Sequence, residues 1–260
     1  MTQRFRTSFS LVCAASLMLV MCALCIAVKP AQAKEPCLQY QNIAPLPGAG
    51  VAISQDGIVD GLGAMSINIP VAYTPGRGYA SLGGYAGKHP SQGTADNGNF
   101  SGVLGVGFLT STKLFVSGMQ VGRSSEEAKV LSGQLMLLEE TSKTPAVAFG
   151  VQDILDKERT TTGRSFYAVA TKSYNIRGRS VYATIGYGDE RFLNRVFLGV
   201  STPINDRLNL ALEHDAFQVN VGLGWKPGGH SSPYTLLGAY NGERGWLFGG
   251  SISGNIAINR

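Results

Sequence analysis

The chain has 260 residues with 22 Lys and Arg against 17 Asp and Glu, a formal charge of +5, and 34 glycines. Its first 33 residues carry Arg4, Arg6 and Lys29 and no acid, so without them the balance is 19 to 17, or +2, and the basic character is largely that segment's. No Lys- or Arg-rich tract remains, which excludes the electrostatic footprint of a nucleic-acid binder, and no nucleic-acid partner is expected.

Arg4 and Arg6 precede an apolar run from Leu11 to Val28, followed by Ala31-Gln32-Ala33. This is the pattern of a secretory signal peptide over 1–33, cleaved near Ala33. Cys13, Cys22 and Cys25 lie inside it, leaving Cys37. A mature chain with one cysteine forms no internal disulfide or cysteine metal cluster, and Cys37 reads as an unpaired thiol in a loose leader. The leader, 34–60, holds Pro45 and Pro47 without a clear period and is expected to be a periplasmic or lumen-plugging segment. All 34 glycines fall after residue 33, about 15% of what remains, twice the usual share, and without a collagen repeat this indicates crowded, bent β-structure.

From 61 onward, alternation with a period of two predicts strands at 65–73, 78–85, 99–108, 112–122, 130–139, 146–154, 165–173, 180–187, 193–201, 207–213, 217–225, 233–240 and 245–258. Turn formers separate them, among them Asn175 to Gly178, Asn205-Asp206, Pro227-Gly228-Gly229 and Asn241-Gly242. Ser125 to Glu140 also admits a helical reading, which Ser132 and Gly133 oppose. In Leu208 to Trp225, Leu208, Leu210 and Leu212 share one face, and Val219, Val221, Leu223 and Trp225 repeat the pattern after a break at His214-Asp215-Ala216. A soluble sandwich buries such a face in its core, whereas a membrane barrel turns it to lipid and leaves the small and polar face to the lumen.

Strand length favours the barrel, because many candidates approach the roughly ten residues needed to cross an outer membrane at a tilt. The final candidate places Trp246, Phe248, Ile252, Ile256 and Ile258 on one face and Ser251, Ser253, Asn255 and Asn259 on the other. The fold expected for 61–260 is all-β, an antiparallel up-and-down transmembrane β-barrel of about 10–12 strands, closed by pairing of the last strand with 65–73 or 78–85 and with Arg260 at the aqueous rim. Glu139, Asp153, Lys172, Arg195 and Glu213 fall at or near strand positions and are expected to face the lumen, since charge on the lipid face is costly. Aromatics near strand ends, such as Tyr187, Trp225, Tyr240 and Trp246, suit an interfacial girdle. The implied partners are outer-membrane lipid and the barrel assembly machinery.

Gly61 to Gly84 (GLGAMSINIPVAYTPGRGYASLGG), GVQDI at Gly150 to Ile154 and EHDAFQVNVGLGW at Glu213 to Trp225 resemble the opening, internal and late strand motifs of YjbH-like outer-membrane proteins. The resemblance spans most of 60–226, although His214 stands where an aromatic is expected. It implies an outer-membrane barrel serving exopolysaccharide production or export as an accessory or conduit, with polysaccharide or an export partner as ligand. Periodicity alone implies only the barrel, and a structural or passive-pore barrel, or more remotely a secreted soluble β-protein, is the alternative. No catalytic residue, metal or cofactor is expected. His230 and Ser232 have the H-x-S spacing of outer-membrane esterases but sit in PGGHSSP, a turn between prolines, while His89 and His214 are far apart in sequence. Glycine pairs such as Gly222 and Gly224 have no following helix and are no nucleotide fingerprint.

Overall fold

The computed structural model describes residues 46–76, 79–87, 97–101, 114–120, 129–155, 164–242 and 245–255. Arg260, Cys37, His89 and the expected signal segment 1–33 lie outside these residues, as does the part of the expected strand 245–258 beyond 255. Among the described residues the protein is all-β, and no helix is long and apolar enough to cross a membrane.

Twelve strands follow one another: β1 (Tyr79–Gly87), β2 (Asn97–Ser101), β3 (Leu114–Gln120), β4 (Lys129–Leu138), β5 (Ala146–Gln152), β6 (Ser165–Ile176), β7 (Arg179–Gly188), β8 (Arg195–Pro203), β9 (Leu208–His214), β10 (Val219–Trp225), β11 (Tyr234–Asn241) and β12 (Gly245–Asn255). They form one antiparallel sheet in the order β2-β1-β12-β11-β10-β9-β8-β7-β6-β5-β4-β3. The end strands of this order, β2 and β3, come within 8 Å of each other, so the sheet curls into an up-and-down barrel with its seam there. Strand β12 pairs with β1, Ser253 opposite Ser81, which places 78–85 and not 65–73 beside the last strand. Lys129–Leu138 is a strand because it is paired on both sides, with β3 and β5, a ladder that outweighs its moderate helical propensity.

Local chemistry fixes the turns. Ile176 pairs directly with Arg179, leaving Arg177 (φ 54°) and Gly178 (φ 80°) as a two-residue loop with both central residues left-handed, the twist that suits a tight hairpin. Asn205 Oδ1 accepts from the Arg207 and Leu208 amides at 2.8 and 2.9 Å, and Asp215 Oδ1 accepts from Phe217 and Gln218 at 3.1 and 3.0 Å. The end of the barrel where β1 starts and β12 finishes, here the near end, carries the turns at 139–145, 177–178, 204–207 and 226–233. The far end carries those at 189–194 and 215–218.

The outer face of this wall is apolar where that of a soluble protein is polar, and its inner face mixes polar residues with apolar ones such as Val169, Phe197, Leu237 and Leu247. Outward positions hold Phe149, Ile185, Leu210, Leu212, Val221, Leu223, Leu236, Phe248 and Ile252, all exposed, while Ser117, Ser132, Gln134, Thr171, Thr184, Ser201, Asn209 and Asn220 point inward and are buried. Tyr187, Tyr240 and Trp246 lie outward toward the far end, and Tyr174, Trp225 and Tyr234 toward the near end.

Residues 65–73 are not a wall strand. The segment 46–76 runs inside the barrel, with Ala64, Ile67, Asn68, Ile69 and Ala72 wholly buried. Its interior extent passes the expected leader boundary at residue 60. Both faces of 65–73 are covered, Ser66 and Asn68 as fully as Ile67 and Ile69, unlike a wall strand with one face outside. The segment pairs with itself: Ile53 and Ala64 exchange hydrogen bonds at 2.9 and 2.8 Å, the Gly50 amide donates to Ser66 O at 2.9 Å, and the Val71 amide donates to Pro47 O at 2.9 Å.

Candidate functional site

The lumen and the segment filling it form the candidate site. A buried irregular chain needs partners for its backbone groups, and the inner faces of the strands supply them. From the near end, Asn209 Nδ2 on β9 donates to Gly61 O and Gly63 O at 3.1 and 2.9 Å, and Tyr182 Oη on β7 donates to Leu62 O at 2.9 Å. Deeper, the Met65 amide donates to Ser201 Oγ on β8 at 2.9 Å. The chain turns back at Asn68 and ascends, with Gln134 Nε2 on β4 donating to Val71 O and the Ala72 amide donating to Thr171 Oγ1 on β6, both at 2.9 Å. From Gly61 to Tyr73 it is thus a finger that descends from the near end and returns to it, with its tip at Ile67 to Ile69.

The tip meets a polar cluster at the far end. The Glu213 carboxylate accepts from the Ile67 and Asn68 amides at 2.8 and 2.6 Å, one per oxygen, and from Asn220 Nδ2 at 3.1 Å. Asn220 Nδ2 also donates to Asp215 Oδ2 at 2.9 Å, which accepts from Asn68 Nδ2 at 3.3 Å, and Arg191 Nη2 donates to Asn68 O at 3.3 Å. Two acidic side chains and a guanidinium therefore converge on one hairpin tip and satisfy its buried backbone groups.

Shape complements this polarity. A Cβ added at Gly199 would stand 2.6 Å from Ile69 Cδ1, at Gly222 2.8 Å from Ile67 Cδ1, and at Gly224 2.5 Å from Met65 Sδ. Glycines on the inner face of β8 and β10 are thus the sockets that receive three apolar side chains of the finger, each worth roughly 1.5–3 kcal/mol when buried. The gap between Leu46 to Ile53 and the wall at Tyr79, Ser81, Phe115 and Ser251 has a volume of about 20 Å³, about that of one water.

A second latch closes the near end. Tyr73 Oη donates to Glu140 Oε2, and the same carboxylate accepts from Ser173 Oγ at 2.6 Å and the Ser173 amide at 3.1 Å and pairs with Lys172 Nζ at 3.2 Å. Burial, then the bond to Glu140 and its charge, push the Tyr73 phenol above its ordinary pKa. Lys226, whose Cδ would meet a Cβ at Gly61, donates through Nζ to Ser232 O at 2.7 Å, and burial pulls its ammonium pKa down against the opposing charge of Asp60.

Of the five charged residues expected in the lumen, Glu213 is buried there and is central to the site. Arg195 has the same inward parity as Phe197 and Gly199 and lies at the far mouth, and Asp153 is buried at the far end of β5. Glu139 and Lys172 are not lumen residues. Glu139 is exposed in the turn after β4, and Lys172 has outward parity next to Thr171 but sits where β6 extends to the near rim, so its long side chain folds onto Glu140. Alternation puts Asn209 and Asn220 on the polar face with Glu213 but does not show what they bind, and it missed Asp215, Glu140 and the finger itself. The available signal was Pro70, which cannot donate to a ladder and argues against a central strand over 65–73.

Ser232 Oγ accepts from the Tyr234 amide at 3.2 Å while His230 is exposed, and His214 Nδ1 accepts from the Ala216 amide at 3.2 Å. Among the described residues no three His, Cys, Asp or Glu side chains gather as metal ligands. No protein family matches the chain, and no curated protein matches it in sequence.

Proposed function

We propose that this chain is an outer-membrane β-barrel protein serving the production or export of surface polysaccharide as an accessory or conduit, its lumen closed at rest by segment 46–76. The observation that carries the membrane placement is the outer face of the wall: large apolar side chains are exposed along β5 to β12, while numerous hydroxyls, amides and a carboxyl are buried within among apolar residues. In water so extended an apolar surface would drive association, whereas lipid solvates it. The polysaccharide role is supported by the resemblance carried by Gly61 to Gly84, Gly150 to Ile154 and Glu213 to Trp225. With a signal peptide leading into a barrel whose first strand starts and last strand finishes at the near end, that end faces the periplasm.

The filled lumen favours a second reading, a structural barrel without a polysaccharide role. Detergent-dependent recovery with outer membranes, and different gel mobility of heated and unheated protein, test the placement, and recovery in the soluble periplasmic fraction refutes it. Loss of surface polysaccharide on deletion, restored by the intact chain, supports the first reading. Unchanged polysaccharide with normal insertion supports the second.

A further inference from the structure

We infer that segment 46–76 is a withdrawable gate, and that the wall behind it is a passage for small hydrated solutes. The inference rests on the membrane placement proposed above and goes beyond the resting, closed state.

Three observations carry it. The wall's hydrogen bonding does not depend on the finger, because every ladder in the order from β2 round to β3 is strand to strand and none uses residues 46–76. The finger carries its own pairing between 46–53 and 64–71, and its stretch from Gly61 to Tyr73 descends from the near end and returns to it, so it can move toward that end as a unit. Most telling are polar atoms of the wall that its occupant leaves unpaired. Ser132 Oγ, both polar atoms of the Gln152 amide, Thr235 Oγ1, Ser251 Oγ and Asn220 Oδ1 are buried on the inner face with no hydrogen-bond partner. The finger's Met65 and Ile67 pack with Ala211, Leu237, Ala239 and Leu247, and its Ile69 and Val71 with Ala146, Ala148, Tyr167, Val169 and Phe197, so the docked finger leaves those polar atoms unused. A wall built only to hold an apolar finger would gain by being apolar, since each unpaired buried polar group costs free energy. A wall that is also wetted needs those hydroxyls and amides.

The test locks the finger in the full chain. In a Cys37→Ser background, Ile67→Cys with Gly222→Cys is well placed, because a Cβ at 222 stands 2.8 Å from Ile67 Cγ1, whose place the introduced sulfur takes, close to the Cβ to far-sulfur separation of a disulfide. Conductance is measured in planar bilayers in potassium chloride as urea is raised, alongside heat-dependent gel mobility as the report on the wall. The expected result is a rise of tenfold or more in the reduced protein at urea concentrations that leave the wall intact, absent from the oxidised protein and restored by reductant. Equal conductance in both forms, or a rise only as the wall unfolds, overturns the gate and leaves the membrane placement standing. Recovery without detergent overturns both. Asn209→Ala serves where the cysteine pair does not form: it removes the bonds to Gly61 and Gly63, and the gate requires its opening to shift to lower urea while the wall midpoint stays put. Equal shifts of the two midpoints overturn it.

Discussion

Replacing Gly222 by valine tests the seating of the finger most directly. The first added carbon would lie 2.8 Å from both Cδ1 and Cγ1 of Ile67 and 3.4 Å from Ala239 Cβ. Ile67 must therefore retreat to at least the 3.4 Å of ordinary contact, and the two further methyls of valine enlarge the shift. Its own amide is held by Glu213 at 2.8 Å and the next by the same carboxylate at 2.6 Å, so retreat strains the tip. Overpacking of this kind costs about 1–3 kcal/mol. The cost falls on docking and not on the ladder, because strand backbones tolerate valine well. Labelling of Ala72→Cys by a water-soluble maleimide, in a Cys37→Ser background, reports docking, and heat-dependent gel mobility reports the wall. Gly222→Val is expected to lower the urea midpoint of labelling while leaving that of the wall unchanged. Ile67→Ala alone costs about 2–5 kcal/mol; combined with Gly222→Val it should cost less by roughly 1–2 kcal/mol, as expected for residues in contact. Gly238→Val, outward and 3.7 Å from the nearest Phe248 atom by the same construction, is the control expected to leave docking unchanged. Unaltered labelling in Gly222→Val, or strict additivity with Ile67→Ala, would refute the socket argument.

Other outcomes follow from the same geometry. Leu210→Arg, on the outer face opposite Leu223, should impair membrane assembly at a cost of about 2–4 kcal/mol near the bilayer midplane, whereas Ser142→Arg in the exposed near-end turn at 139–145 should assemble normally; equal assembly of the two would remove the lipid-facing assignment. Ser81→Cys with Ser253→Cys in a Cys37→Ser background should cross-link in inserted protein, because the two positions are directly paired, and its absence beside efficient cross-linking at another register would move the closure of β12. Docking should also weaken in alkali. The docked Tyr73 phenol is held above its ordinary pKa of 10.0, so its contribution is complete below pH 10 and is lost progressively above it as the undocked phenol ionises. Tyr73→Phe should flatten that pH dependence of Ala72→Cys labelling, and an unchanged slope would place the titration elsewhere.

Much of this protein is legible in the order of its residues. Alternation in Leu208 to Trp225 specifies two strands and the face each side chain takes, because successive side chains on a strand project oppositely whatever the strand packs against. Asp215 and Asn205 mark turns because their side chains reach amides two or three residues on. The same local logic fails at 65–73, where Met65, Ile67, Ile69, Val71 and Tyr73 alternate as regularly as any wall strand. Period two shows only that a chain is extended with two unlike faces, and an extended chain inside a barrel satisfies it as well as one in the wall. Which it is depends on partners far along the chain: Ser201 for Met65, Glu213 for Ile67, Thr171 for Ala72. Glu139 and Lys172 show the same limit, since a charge beside a strand lies in the lumen or at the rim according to where that strand ends relative to its neighbours. Residue order is enough to specify an all-β chain of alternating strands, each with an apolar and a small or polar face, because both properties are local. Which extended segment is enclosed by the others is settled only when the strands assemble, because enclosure is a relation among all twelve strands and is written in none of them.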